Sequence, residues 1–194
     1  MRQLALALPE WGGRRTGAGR PRTRLHPGLI GPGVPHLSRA KFPARHPVHV
    51  TMRVQPGVGN LRGWRRSRVV LAVLAKARGI RIIHYSIQGN HLHLIVEAVS
   101  AAALSRAIQA LATCLAKRLN ALARRRGGVF ADRYHARALA TPREVANAIR
   151  YVLGNFRHHA REPLPPRWAD PLATRTDAPL RAPTVWLLRV GWRL

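Results

Sequence analysis

The chain has 194 residues, enough for one domain of ordinary size with extensions. Lys and Arg number 34 against 7 Asp and Glu, a formal charge of +27 that opposes compaction unless a polyanion binds. A single cysteine, Cys114, excludes an intrachain disulfide framework or a cysteine-based zinc site, and no apolar run approaches the ~18 residues of a membrane span.

Residues 1–45 are rich in Gly, Pro and Arg and lack periodicity, which predicts a basic disordered arm. Leu4–Leu8 is too short for a signal sequence and is stopped by Pro9, so a soluble, cytoplasmic protein is expected. Within the arm, Gly17-Ala18-Gly19-Arg20-Pro21-Arg22 resembles an AT-hook, in which Arg20 and Arg22 would lie along a narrow minor groove. Nucleic acid is the leading partner, because neutralised phosphates release counterions. A GC-rich genome would account for part of the arginine excess.

VHVTMRV, 48–54, alternates and is β-branched, the pattern of a strand. A loop at 56–60 leads to a helix over 61–77, with Val69, Val70, Val73, Leu74 and Ala77 on one side and Gly79 beyond its end. RIIHYSIQGNHLHLIVEA, 81–98, reads as two strands folded back at Gln88-Gly89-Asn90. His91 and His93 share a face of the second, with Cα atoms about 6.6 Å apart. Leu92, Leu94 and Val96 point the other way and can seat the strand on a core.

Leu104, Ile108, Leu111, Leu115, Leu119 and Leu122 step by four and three through a helix over 100–126, stopped by Gly127-Gly128. Residues 129–139 read as a further strand. Thr141-Pro142-Arg143-Glu144 supplies an N-cap, a proline at the first helical position and a capping box for a helix reaching about Ala160. A Pro-rich tail follows over 161–194; its Trp186, Leu187, Leu188 and Trp192 are expected to dock, at a place the sequence does not mark. The order β-α-β-β-α-β predicts an α+β, ferredoxin-like antiparallel sheet over 46–160, with an extra C-terminal helix.

Ten histidines predict roughly half a His-x-His pair by chance, so His91 and His93 need a partner. The capped helix offers one. Its buried stripe runs through Val145, Ile149, Val152 and Phe156; Tyr151 lies well off that stripe, and Asn155, at i+4, shares its edge. Two imidazoles with an amide or carboxylate oxygen suit Mg²⁺ or Mn²⁺ and leave positions open for a phosphate. A phenolate beside such a site can attack the phosphate and leave a covalent phosphotyrosine and a 3′-hydroxyl. No Gly-x4-Gly-Lys-Ser/Thr loop is present for a nucleotide.

The Gly-Asn-flanked His91-Leu92-His93 strand resembles the His-hydrophobic-His motif of HUH endonucleases, and Tyr151-Val152-Leu153-Gly154-Asn155 resembles the tyrosine helix of the single-tyrosine HUH transposases. The span from about His46 to His159 is similar to their REP-associated branch. The resemblance implies metal-dependent nicking and rejoining of single-stranded or hairpin DNA through a 5′-phosphotyrosine on Tyr151. It implies His91, His93 and Asn155 as metal ligands, and it leaves room for a homodimer. Arg133, Arg137, Arg150 and Arg157 would contact phosphates. Tyr134 stays a rival nucleophile, and Tyr85 reads as a packing or base-stacking residue. His84 and Asp132 could approach a metal, although structural roles suit both. His46, His49, His158 and His159 read as loop or helix-end residues. A non-catalytic DNA- or RNA-binding module, or an inactive transposase remnant, is the alternative.

Overall fold

The computed structural model describes residues 41–160, 163–165 and 168–193, with the backbone alone at 158 and 159. The arm expected over 1–45, including Arg20 and Arg22, lies outside the described residues except for 41–45, as do the side chains of His158 and His159. The elements are β1 (Val48–Arg53), α1 (Trp64–Ala75), β2 (Arg81–Ile87), β3 (His91–Glu97), α2 (Ala101–Leu122), β4 (His135–Ala138), α3 (Pro142–His159) and α4 (Trp186–Arg189). The strands form one sheet in the order β2-β3-β1-β4, every pair antiparallel. This is the split βαβ arrangement of a ferredoxin-like α+β fold, with α3 and α4 added to it.

Strand parity sorts the side chains onto two faces. Val48, Val50 and Met52 of β1 and Leu92, Leu94 and Val96 of β3 join Val70, Val73 and Leu74 of α1 and Leu104, Ile108, Leu111, Leu115 and Leu119 of α2 in the larger core. On the opposite face, Ile83 and Ile95 pack with Val145, Ala148, Ile149 and Val152 of α3 and Leu187 and Leu188 of α4. The sheet is thus covered on both sides.

Local chemistry fixes the ends. Ser100 caps α2 by accepting the Ala103 N–H, and Thr141 and Glu144 form the reciprocal capping box of α3. Helix α2 stops at Leu122, before the Gly127-Gly128 expected to end it. There Arg124 takes the left-handed conformation (φ 48°), its N–H donates to the Ala121 carbonyl and that of Arg125 to Asn120, a Schellman closure without glycine. The strand expected over 129–139 is shorter. Phe130 bridges Val54, but Asp132 Oδ1 takes the Arg133 N–H (2.6 Å) and withdraws it from the ladder until His135.

The tail is part of the domain. Leu172 and Tyr85 carbonyls accept from Ile87 and Thr174 N–H groups, and the Ile83 carbonyl accepts from Leu180, so residues 172–180 cover the outer edge of β2. Leu187 and Leu188 are buried and Trp192 is half-buried, whereas Trp186 stays exposed. Buried Glu97 anchors the segment before α4: it accepts from Thr184 N (2.8 Å), Thr184 Oγ1 (2.5 Å) and Val185 N (2.9 Å).

Candidate active site

The β2–β3 turn delivers the two histidines. Gln88 N–H donates to the His91 carbonyl across a Gly89-Asn90 loop, and neither loop residue has a positive φ. The turn is therefore not of the mirror-image type that matches strand twist unaided. Neighbouring backbone holds it instead: Leu61 N–H donates to Gly89 and Val54 N–H to Asn90. Arg62 donates to the Ile87 carbonyl (2.8 Å), braces the buried Asp170 carboxylate with two 2.9 Å bonds, and lies 3.6 Å over the Phe156 ring. One guanidinium thus ties the end of β2, the tail and the last turns of α3 together.

On the α3 side of the sheet the His91 and His93 rings stand 4.6 Å apart, nearly perpendicular. His93 is 3 % exposed. The Tyr151 ring stands edge-on to it at 5.3 Å, and Tyr151 is 47 % exposed, open to a substrate. Asn155, one turn further along α3, is 1 % exposed, and neither its Oδ1 nor its Nδ2 has a hydrogen-bond partner among the described residues. An amide buried in that state is costly unless a ligand completes it. Among the described residues no three His, Cys, Asp or Glu side chains cluster to hold a metal ion. As donor chemistry, two imidazoles and an amide oxygen suit a divalent cation, and the buried, orphaned amide of Asn155 is consistent with such a use.

The histidines are oriented by their neighbours. Asn90 Oδ1 lies 2.7 Å from His91 Nδ1; a carbonyl oxygen only accepts, so the proton sits on Nδ1 and the lone pair on Nε2. His93 Nδ1 lies 3.1 Å from His49 Nε2 and 3.2 Å from Thr51 Oγ1. His49, read from sequence as a loop histidine, is on β1; that expectation is corrected. Its ring is 5.2 Å from His93 and 6.0 Å from Tyr151. Burial, aided by the charges of His135 and Arg137, lowers its pKa to about 4 and keeps it neutral. The signal was available, since His49 alternates with Val48 and Val50.

The other candidates separate. Tyr134 packs on the α1/α2 core, and its hydroxyl pairs with Ser105 Oγ (2.9 Å), so it lies on the face away from the histidines. Tyr85 is half-buried on the same core; burial, then the Asp170 charge, raises its pKa. His84 is buried against Thr174 Oγ1 (3.1 Å), and burial lowers its pKa to about 4. Asp132 holds the Arg133 backbone. Arg137 stands opposite His49 in the sheet and pairs with Glu144 (2.8 Å), while Arg150 is exposed beside Tyr151. Arg157 donates to the tail carbonyls of Leu164, Pro165 and Trp168.

The family described as transposase, IS200-like, matches residues 48–155. No curated protein matches the sequence. Among solved structures the chain is similar to a REP-associated tyrosine transposase bound to a REP hairpin, with a TM-score of 0.51 at 12 % identity, covering 78 % of this chain and 100 % of the other. At that identity the likeness speaks to the fold. The family match spans more than half of the residues and includes the histidine strand and the tyrosine helix through Asn155: the chain belongs to the IS200-like transposase family.

Proposed function

We propose that this transposase nicks and rejoins single-stranded DNA, at or near hairpins, through a covalent 5′-phosphotyrosine on Tyr151. The observation that carries the reading is the edge-on placement of the Tyr151 ring against His93, itself perpendicular to His91. The Tyr151 oxygen forms a bond to the scissile phosphorus while the bond from phosphorus to the 3′-oxygen breaks. The phenol releases its proton as it attacks, the departing oxygen takes one up to leave as a 3′-hydroxyl, and the 5′-phosphate stays on Tyr151. A second 3′-hydroxyl reverses the step and rejoins the strand. Bound by His91, His93 and Asn155, Mg²⁺ or Mn²⁺ would polarise the phosphate.

Arg150 would take a flanking phosphate, as would Arg137 by sharing or exchanging its pairing with Glu144, and Arg133 adds charge before β4. Arg157 would first have to leave the tail carbonyls. The binding-module alternative is less well supported. An RRM-type sheet stacks bases on aromatics of an open face, whereas here α3 and α4 cover that face.

Incubation with a single-stranded hairpin oligonucleotide and Mn²⁺ should yield a protein–DNA adduct on a denaturing gel. The adduct should be lost in Tyr151→Phe and reduced at least tenfold in His91→Ala. Adduct that persists in Tyr151→Phe overturns the assignment of the nucleophile.

A further inference from the structure

We infer that His49 is a positioning residue: its Nε2 accepts the Nδ1–H of His93, fixing the tautomer that puts the His93 lone pair on Nε2, the nitrogen that would ligate a cation. Two ring nitrogens 3.1 Å apart share one proton, so one imidazole donates and the other accepts. The metal reading sets the direction: a ring that binds a cation through Nε2 carries its proton on Nδ1. The neighbouring ligand ring, His91, has Nδ1 against Asn90 Oδ1, which can only accept, so the adjacent imidazole already carries its proton on Nδ1. Thr51 Oγ1, 3.2 Å from His93 Nδ1, is a hydroxyl that can share that Nδ1–H as a further acceptor and is compatible with this direction. The opposite direction would leave His93 with an N–H on Nε2, unable to bind a cation there. A ring that ligates through one nitrogen is aimed by the hydrogen bond at the other. Strand register builds the contact, because Thr51 stands opposite His93 and His49 lies two residues along the same face of β1.

The inference rests on the metal reading for its direction and its consequence, but not for its test. In metal-free protein at pH 7.5, nitrogen-15 spectra of the histidine rings should show His93 protonated at Nδ1. His49→Leu should mix its tautomers, and His49→Gln, whose amide oxygen can accept, should restore the bias. By electron paramagnetic resonance without DNA, Mn²⁺ binding should weaken about 10- to 100-fold in His49→Leu and only a few-fold in His49→Gln. A wild-type His93 protonated at Nε2 overturns the inference whether or not a variant folds. So does a His49→Leu protein with unchanged His93 signals. Tautomer control by His49 in a protein that binds no Mn²⁺ would leave the inference standing and overturn the metal reading.

Discussion

Arg62→Ala tests the brace behind the site. The Arg62 side chain is 15 % exposed and the Asp170 side chain 1 %, so this is a buried pair. Removing one partner of such a pair costs about 3–5 kcal/mol, because the other charge is left without its counterion. Asp170 Oδ1 keeps the Leu172 N–H at 2.9 Å, which places the expected loss near the lower end, about 3 kcal/mol. Loss of the Ile87 carbonyl contact and of the stack on Phe156 adds about 1 kcal/mol. Denaturant titration should read a total of about 3–4 kcal/mol, roughly 6–16 °C in Tm for a domain of this size. Arg62→Lys keeps the charge but not the fork, and should recover less than half. A cycle with Asp170→Ala should show a coupling of about 1–3 kcal/mol. Because Arg62 grips the residue before the histidine turn and the residue after Asn155, adduct formation by the folded variant should fall about tenfold or more. A stability loss below about 1 kcal/mol, or a full adduct yield, would refute the claim that this guanidinium sets the site.

Tyr134→Phe removes the Ser105 hydrogen bond, so it should cost about 1 kcal/mol and leave the DNA adduct intact on a denaturing gel; loss of adduct would return Tyr134 as the nucleophile. Glu97→Ala strands the Thr184 and Val185 N–H groups; a loss of about 2–3 kcal/mol and early hydrogen exchange over 184–193 are expected. Folding lowers the pKa of His84 from 6.5 to about 4, so the unfolded chain binds more protons between those values. Stability should be level above pH 6.5 and fall as pH drops toward 4, by at most about 3 kcal/mol from this group. His49 titrates in the same window, so the measurement is the difference in slope between wild type and His84→Asn, which should be shallower.

What could be read without coordinates was set by short-range rules. The capping box at Thr141 and Glu144 is a three-residue geometry, and it marks the start of α3. The parity of β3 puts His91 and His93 opposite Leu92 and Leu94, whatever the sheet packs against. The docking of the tail was not legible: Glu97 meets Thr184 87 residues away, through backbone N–H groups that carry no residue signature. The break at Asp132 was equally hidden, because a side chain competing with a ladder looks like any other Asp.

His49 is a different case, since its place followed from inferences already in hand. Val48, Val50 and Met52 are the apolar set of β1, so His49 and Thr51 must face away from the α1/α2 core. The split βαβ order makes the first and third strands the central neighbours, so that outward face of β1 adjoins the outward face of β3, where the paired histidines lie. Parity on two strands plus their adjacency brings a third imidazole to the site. The same parity puts Tyr134 with Phe130 and Ala136 on the helix side, opposite to His135 and Arg137, and separates it from Tyr151 before any distance is measured. Reading strands in adjacent pairs, rather than one at a time, supplies the contacts that single-strand periodicity leaves out.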